Sequence, residues 1–264
     1  MGKQISQSST HSKFEVSCKD LVGMDEQLEE VHALLDLKES NEVHFVWICG
    51  MAGIGKTTIA EVVYNQIVHK FQSSCFLHIS EKNNLLSLQH QLLSQLLLKN
   101  DIEVRDEDYG AQMIQNEMKS RMALVVLDAI DEKRQVEVLV GSPYWFGQGS
   151  RVIITTRNRE ILHQLNYKDK MREYNVKLLS QENANLLFCK YAFGNNDGQD
   201  KNELCTEIVK KVGRHPLALI FIGSALHNKD VATWKEMLRV LCNVEEDFFS
   251  IISKLEKSEE LHNE

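Results

Sequence analysis

GMAGIGKT (50–57) sits between an apolar run, VHFVWIC (43–49), and a helical pattern that continues to residue 70. Its spacing fits G-x-x-x-x-G-K-[ST], the phosphate-binding loop, and that motif needs a strand before it and a helix after it. The chemistry follows from the residue types. Gly50, Gly53 and Gly55 let the backbone wrap closely round a polyphosphate with its N–H groups turned inward. The positive end of the following helix adds to the field. Lys56 can reach the β- and γ-phosphates, the Thr57 hydroxyl can ligate Mg2+, and Thr58 can offer a further donor to the α-phosphate.

Outward from the loop, short apolar runs alternate with helical patterns. SCFLHIS (74–80), ALVVLD (123–128) and RVIITT (151–156) show little polar alternation, as expected of strands covered on both faces; REYNV (172–176) is a weaker fifth. Helical patterns fall at 56–70, 85–99, 109–121, 132–140 and 158–165. Strands joined by crossover helices predict an α/β fold, a three-layer P-loop sheet with parallel strands. After about residue 178 the strand signal stops. Four helices are expected at 180–193, 202–214, 216–228 and 230–244, with Ser180 and Asp230 as N-caps and Pro216 in a first turn. GNNDGQDK (194–201) reads as a loop. The expected domains are a P-loop domain over 19–178 and a small helical domain over 179–257, between a flexible leader (1–18) and a loose tail (258–264).

Composition narrows the classes. The 264 residues, 43% hydrophobic and 26% charged, suffice for a sizeable core, and the net charge of −8 argues against a general affinity for nucleic acid. No apolar run approaches the roughly 20 residues that span a bilayer, so no transmembrane segment is expected. The opening MGKQIS fits the Gly2 myristoylation pattern. Six scattered cysteines without a C-x-x-C pair read as reduced core thiols of a cytoplasmic or nuclear protein. Ten dispersed histidines form no metal-spaced cluster and read as ordinary surface or core residues.

Three more segments carry candidate chemistry. ALVVLD pushes Asp128 out of a strand end, where a carboxylate can meet Mg2+. RVIITTR ends in Thr155, Thr156 and Arg157 on the ligand side of an open sheet, and Arg157 can contact a terminal phosphate; the plainer reading is a surface arginine. GRHPLAL (213–219) places Pro216 at a helix start, where by itself it reads as punctuation.

In order and spacing, LVGMDEQLEEVHALL, GMAGIGKTTIA, SCFLHIS, LVVLDAID, GSRVIITTR, YNVKLLSQENANLLFCKYAFG and GRHPLAL resemble the NB-ARC module of plant intracellular immune receptors. The subclass with a preceding TIR domain is most similar. The resemblance covers about residues 19 to 257 and implies a STAND-type ATPase switch, held closed by ADP and opened by exchange for ATP. It implies that Val22 and Gly23 meet the adenine through their backbone. Gly53, Ile54, Gly55, Lys56, Thr57 and Thr58 match the phosphate cradle. Asp128 matches the Walker B acid, Arg157 the sensor arginine, and Pro216 the proline that packs near the base. Catalytic roles would then fall to Lys56, Asp128 and Arg157, and metal ligation to Thr57 and Asp128.

The departures from the family pattern are specific. Arg214 and His215 replace its Gly-Leu before the proline, Met24 stands where many relatives have arginine, and Ala129 occupies the place of a second acid. A methyl group can neither accept a proton nor orient a water, so impaired hydrolysis is expected; Asp131 would substitute only if the loop curled back. A TIR domain, a Met-His-Asp motif and leucine-rich repeats are not among the quoted segments, and SIISKLEKSEELHNE resembles the start of a winged helix. A truncated receptor is the expectation. Three functions stand open: an ADP/ATP and Mg2+ switch module in defence signalling, an interaction fragment that pairs with full-length receptors or itself through its NB-ARC surface, and a housekeeping P-loop ATPase.

Overall fold

Every residue of the run His44–Cys49 is buried and becomes β1 (His44–Cys49), the strand from which the phosphate loop leaves. The computed structural model describes Phe14 and residues 21–37, 41–80, 82–167, 170–194 and 202–243. The myristoylation pattern, Cys18, nearly all of the expected 194–201 loop and the winged-helix-like tail lie outside the described residues.

Five strands form one parallel sheet: β1, β2 (Ser73–His78), β3 (Ala123–Ile130), β4 (Arg151–Thr156) and β5 (Met171–Asn175), in the order β2-β3-β4-β1-β5. The expected α/β fold is present. Phe45, Trp47, Val125, Leu127, Val152 and Ile154 enter one core, and the alternate residues Val46, Ile48, Leu124, Val126 and Ile153 are buried as well. Helices therefore cover both faces. Since β2, β3 and β4 lie on one side of β1 and β5 on the other, the C-terminal end of β1 is at the topological switch point where open α/β sheets bind ligands.

The intervening helices start where side chains satisfy the orphan N–H groups. α2 (Lys56–Ile67) follows the phosphate loop; α3 (Leu85–Leu97) is capped by Asn84, which accepts from Ser87 N at 2.7 Å, and α4 (Glu107–Met118) by Asp106, which accepts from Tyr109 N at 2.8 Å. α5 (Lys133–Leu139) opens with a reciprocal Glu132–Gln135 capping box. α1 (Asp25–Leu35), unassigned from the sequence, buries Gln27, Val31 and Leu35 at a spacing of four. α6 (Glu160–His163) is shorter than the expected 158–165, because the Asn158 side chain accepts from Glu160 N and holds its start in a turn.

The helical segment has its own core. α7 (Gln181–Phe193), α8 (Asn202–Val212), α9 (Pro216–Leu226) and α10 (Val231–Asn243) enclose Phe188, Ile208, Leu219 and Ile222, with Trp234 stacked on Phe193 at 5.2 Å. Ser180 and Asp230 cap α7 and α10 as expected, accepting from Asn183 N and Thr233 N. By contacts the chain forms two units. One comprises Phe14, Leu28–Cys49 and Thr57–Asn175; the other gathers the segment up to Gln27, the phosphate loop Gly50–Lys56 and the chain from Val176 onward.

Candidate nucleotide-binding site

Within the sheet unit the chemistry collects on the C-terminal ends of the strands. The pairing of β3 with β4 slips by one residue between Leu127 and Ile130, so β3 carries a bulge. It runs two residues past the Asp128 end expected from the sequence. The bulge sends neighbouring side chains opposite ways: Asp128 is 4% exposed, whereas Ala129 is exposed and holds a left-handed φ of 67°. Asp128 accepts from Thr57 Oγ1 at 2.9 and 3.0 Å and from Thr155 Oγ1 at 2.6 Å. Thr155 Oγ1 in turn accepts from Ala129 N at 2.8 Å, so one hydroxyl both aims the carboxylate and pins the bulge. His78 Nδ1 lies 3.1 Å from the other Asp128 oxygen.

Sequence reasoning put Thr155 on the ligand side of the sheet without giving it a role and passed over His78. The signal for His78 was strand register, since it lies opposite Asp128 in the β2–β3 ladder. Glu61, one turn along α2 from Thr57, has its carboxyl pushed up first by burial; His78 lowers it and the Asp128 charge raises it. Asp131 is exposed, and its carboxylate accepts from Gln135 Nε2 at 2.6 Å, which ties it to the first turn of α5. Arg157 is exposed immediately after β4. A hydroxyl beside a buried carboxylate is an all-oxygen donor set, which suits a hard divalent cation. Among the described residues no three His, Cys, Asp or Glu side chains cluster as a metal site. Mg2+ takes one or two protein oxygens and completes its shell with water and phosphate, so Thr57 and Asp128 fit it.

Within the second unit the phosphate loop is wrapped against the helical segment. Lys56 is 8% exposed and donates from Nζ to Met51 O at 2.8 Å. Gly53 has φ +64°, and a Cβ there would lie 2.6 Å from both Cβ and Cδ2 of Leu217 and 3.0 Å from His215 Cε1. That is the close approach that requires glycine. Leu217 N donates to Gly53 O at 3.3 Å, and His215 Nε2 lies 2.8 Å from Ala52 O. Pro216 takes the first position of α9, where its missing N–H costs nothing. Gly23, at φ +71°, packs on Asn183, and the Met24 methyl lies 3.3 Å from where a Gly55 Cβ would stand. Val22 is buried in the helical core.

This unit thus brings together Val22, Gly23, Gly53, Ile54, Gly55, Lys56 and Pro216, and the sheet unit holds Thr57, Thr58, Asp128 and Arg157.

A parallel sheet in which β1, an inner strand, feeds a glycine-rich G-x-x-x-x-G-K-T turn, with a strand-end aspartate bonded to that threonine, defines a P-loop NTPase fold. The chain belongs to the NB-ARC family, whose NB-ARC domain pattern matches residues 24–198. It is 38% identical over 228 residues to disease resistance protein RUN1 of Vitis rotundifolia, covering 84% of this chain and 17% of that one. It is 34% identical over 250 residues to TMV resistance protein N of Nicotiana glutinosa, covering 91% of this chain and 21% of that one. The chain spans about a fifth of the length of such relatives. Among solved structures, Cdc6p from Pyrobaculum aerophilum superposes with a TM-score of 0.57 at 13% identity, over 80% of this chain and 62% of that one, a likeness of fold alone. No helix of the described residues is long and apolar enough to cross a membrane.

Proposed function

We propose that the chain is an adenine-nucleotide switch module of a plant immune receptor, acting in the cytoplasm or nucleus in defence signalling, which holds ADP or ATP with Mg2+ and hydrolyses slowly. The observation that carries this reading is the Thr57–Asp128 pair directly after the glycine loop, a hydroxyl and a carboxylate 2.9 Å apart. Backbone N–H groups of Gly53 to Lys56 would bind the phosphates, with Lys56 releasing Met51 O to reach them. Mg2+, when bound, supplies charge neutralisation at the β- and γ-phosphates. Thr57 and Asp128 would hold it, and Thr155 would keep the carboxylate aimed. The backbone of Val22 and Gly23 and the ring of Pro216 would meet the base, and Arg157 would read a terminal phosphate.

Hydrolysis is the weak function of the site. The exposed residue of the β3 bulge is Ala129, which cannot take a proton, and Asp131 is committed to Gln135. Ligand stabilisation tests the reading. With free ADP at about a hundred times Kd the folded state gains roughly 2.7 kcal/mol, seen as a rise in Tm that Lys56→Ala abolishes. No shift at millimolar ADP would sink the proposal. Pairing with full-length receptors or a second copy is the other reading, favoured by Leu186 and Phe221, each 50% exposed on the helical unit. Light scattering of wild type and Phe221→Lys tests the self-pairing arm, which identical monomers would remove.

A further inference from the structure

Helix α9 begins on a histidine that is 1% exposed and bonded at both ring nitrogens. Nδ1 accepts from Ala218 N at 3.4 Å, capping the helix, and Nε2 faces Ala52 O at 2.8 Å. A carbonyl has no proton to give and an amide N–H has no lone pair to offer. The two contacts together therefore select the neutral ring with its hydrogen on Nε2. Two residues further on, Leu217 N donates to Gly53 O, so the consecutive carbonyls of Ala52 and Gly53 in the phosphate loop are tied to the start of α9.

The direction of those ties matters. In a trans peptide the C=O and N–H of one plane point opposite ways. Drawing the Ala52 and Gly53 carbonyls toward α9 turns the N–H groups of Gly53 and Ile54 away from it, where a phosphate oxygen can be met.

We propose that His215 is a proton-sensitive positioning residue for nucleotide binding: its neutral ring holds the phosphate loop in its binding shape, and taking up a proton releases the loop and weakens adenine-nucleotide affinity. This rests on the nucleotide reading above. A proton on Nδ1 would confront the Ala218 N–H and break the cap. The charged group acting on the ring is Lys56, a cation that further opposes protonation; Arg214, the preceding residue, is exposed. Burial holds the imidazole below its usual 6.5, against a smaller upward pull from the Ala52 carbonyl.

The test is the ADP dissociation constant at pH 7.5 and pH 5.0 for wild type and His215→Gln. The Gln amide can donate to Ala52 O and accept from Ala218 N but cannot titrate in this range, so the difference cancels protonation of ADP itself and of every group the two proteins share. Wild type is expected to lose about fivefold more affinity than the variant. Hydrogen exchange of the 50–57 segment without nucleotide, corrected for intrinsic rate, should quicken at pH 5.0 in wild type alone. ADP binding with parallel pH dependence and unchanged loop exchange in both proteins overturns the inference and leaves the nucleotide reading intact. Failure of both proteins to bind ADP at pH 7.5 overturns the nucleotide reading, and this inference with it. Should the Gln variant not fold, loop exchange of wild type that does not respond to pH overturns it unaided.

Discussion

Gly53→Ala probes the join between the phosphate loop and α9, and its cost can be worked out from the structure. Gly53 lies at φ +64°, where an L-residue costs about 1–2 kcal/mol. The added methyl would meet Leu217 at 2.6 Å and His215 at 3.0 Å. Both belong to the first turn of a packed helix, so relief requires the loop or the helix to shift, typically about 1–3 kcal/mol. Alanine's smaller unfolded-state entropy returns about 0.5–1 kcal/mol. The net expectation is a loss of about 1–4.5 kcal/mol, measured by urea unfolding. Gly213→Ala is the internal control, because it has φ +83° but nothing within 4 Å of the new carbon. It should show the backbone cost alone, about 1 kcal/mol. Equal losses in the two variants, or a Gly53→Ala loss under about 0.5 kcal/mol, would refute the close packing of loop on helix.

The other predictions concern the acid pair, the sheet and pH. Ala129→Asp should raise the slow ATPase rate and be tolerated by the fold, since aspartate enters the left-handed region more readily than alanine; phosphate release that stays at the wild-type rate would show that Ala129 is not the lesion. Arg151→Met should cost about 3 kcal/mol in urea unfolding, because the 1% exposed guanidinium donates to the carbonyls of Leu35, Asp36, Glu42 and Ser150, which would all lose it. A loss under 1 kcal/mol would contradict that role. His215 carries a depressed pKa when folded, so its stabilising part is complete above the unfolded value of 6.5 and is lost as pH falls below it. His215→Gln should accordingly flatten the decline of Tm between pH 6.5 and 5, and an unchanged slope would count against it.

Much of this was legible because it is local. The glycine loop, the apolar strands and the caps at Ser180 and Asp230 depend on residues a few positions apart. Features that depend on register were not. The β3 bulge is a slip of one residue in the pairing of two strands distant in sequence, and it lies at Asp128 and Ala129, the first buried and the second exposed. His78 looked like any surface histidine until the β2–β3 ladder set it beside Asp128. The His215 link spans 163 residues, so the replacement of the family's leucine read as a defect in a motif rather than as a hydrogen bond to the phosphate loop. Helix α1 was missed for a different reason. Its buried face is only Gln27, Val31 and Leu35, one of them polar, which blurs the apolar period.

The central claim is that Lys56, Thr57 and Asp128 bind a nucleotide, and calorimetric titration of wild type and Lys56→Ala with ADP and Mg2+ tests it most directly. The account predicts saturable binding at one site per chain in wild type and loss of that binding in the variant. Absence of binding at millimolar ADP, or equal affinity in the two proteins, would contradict it.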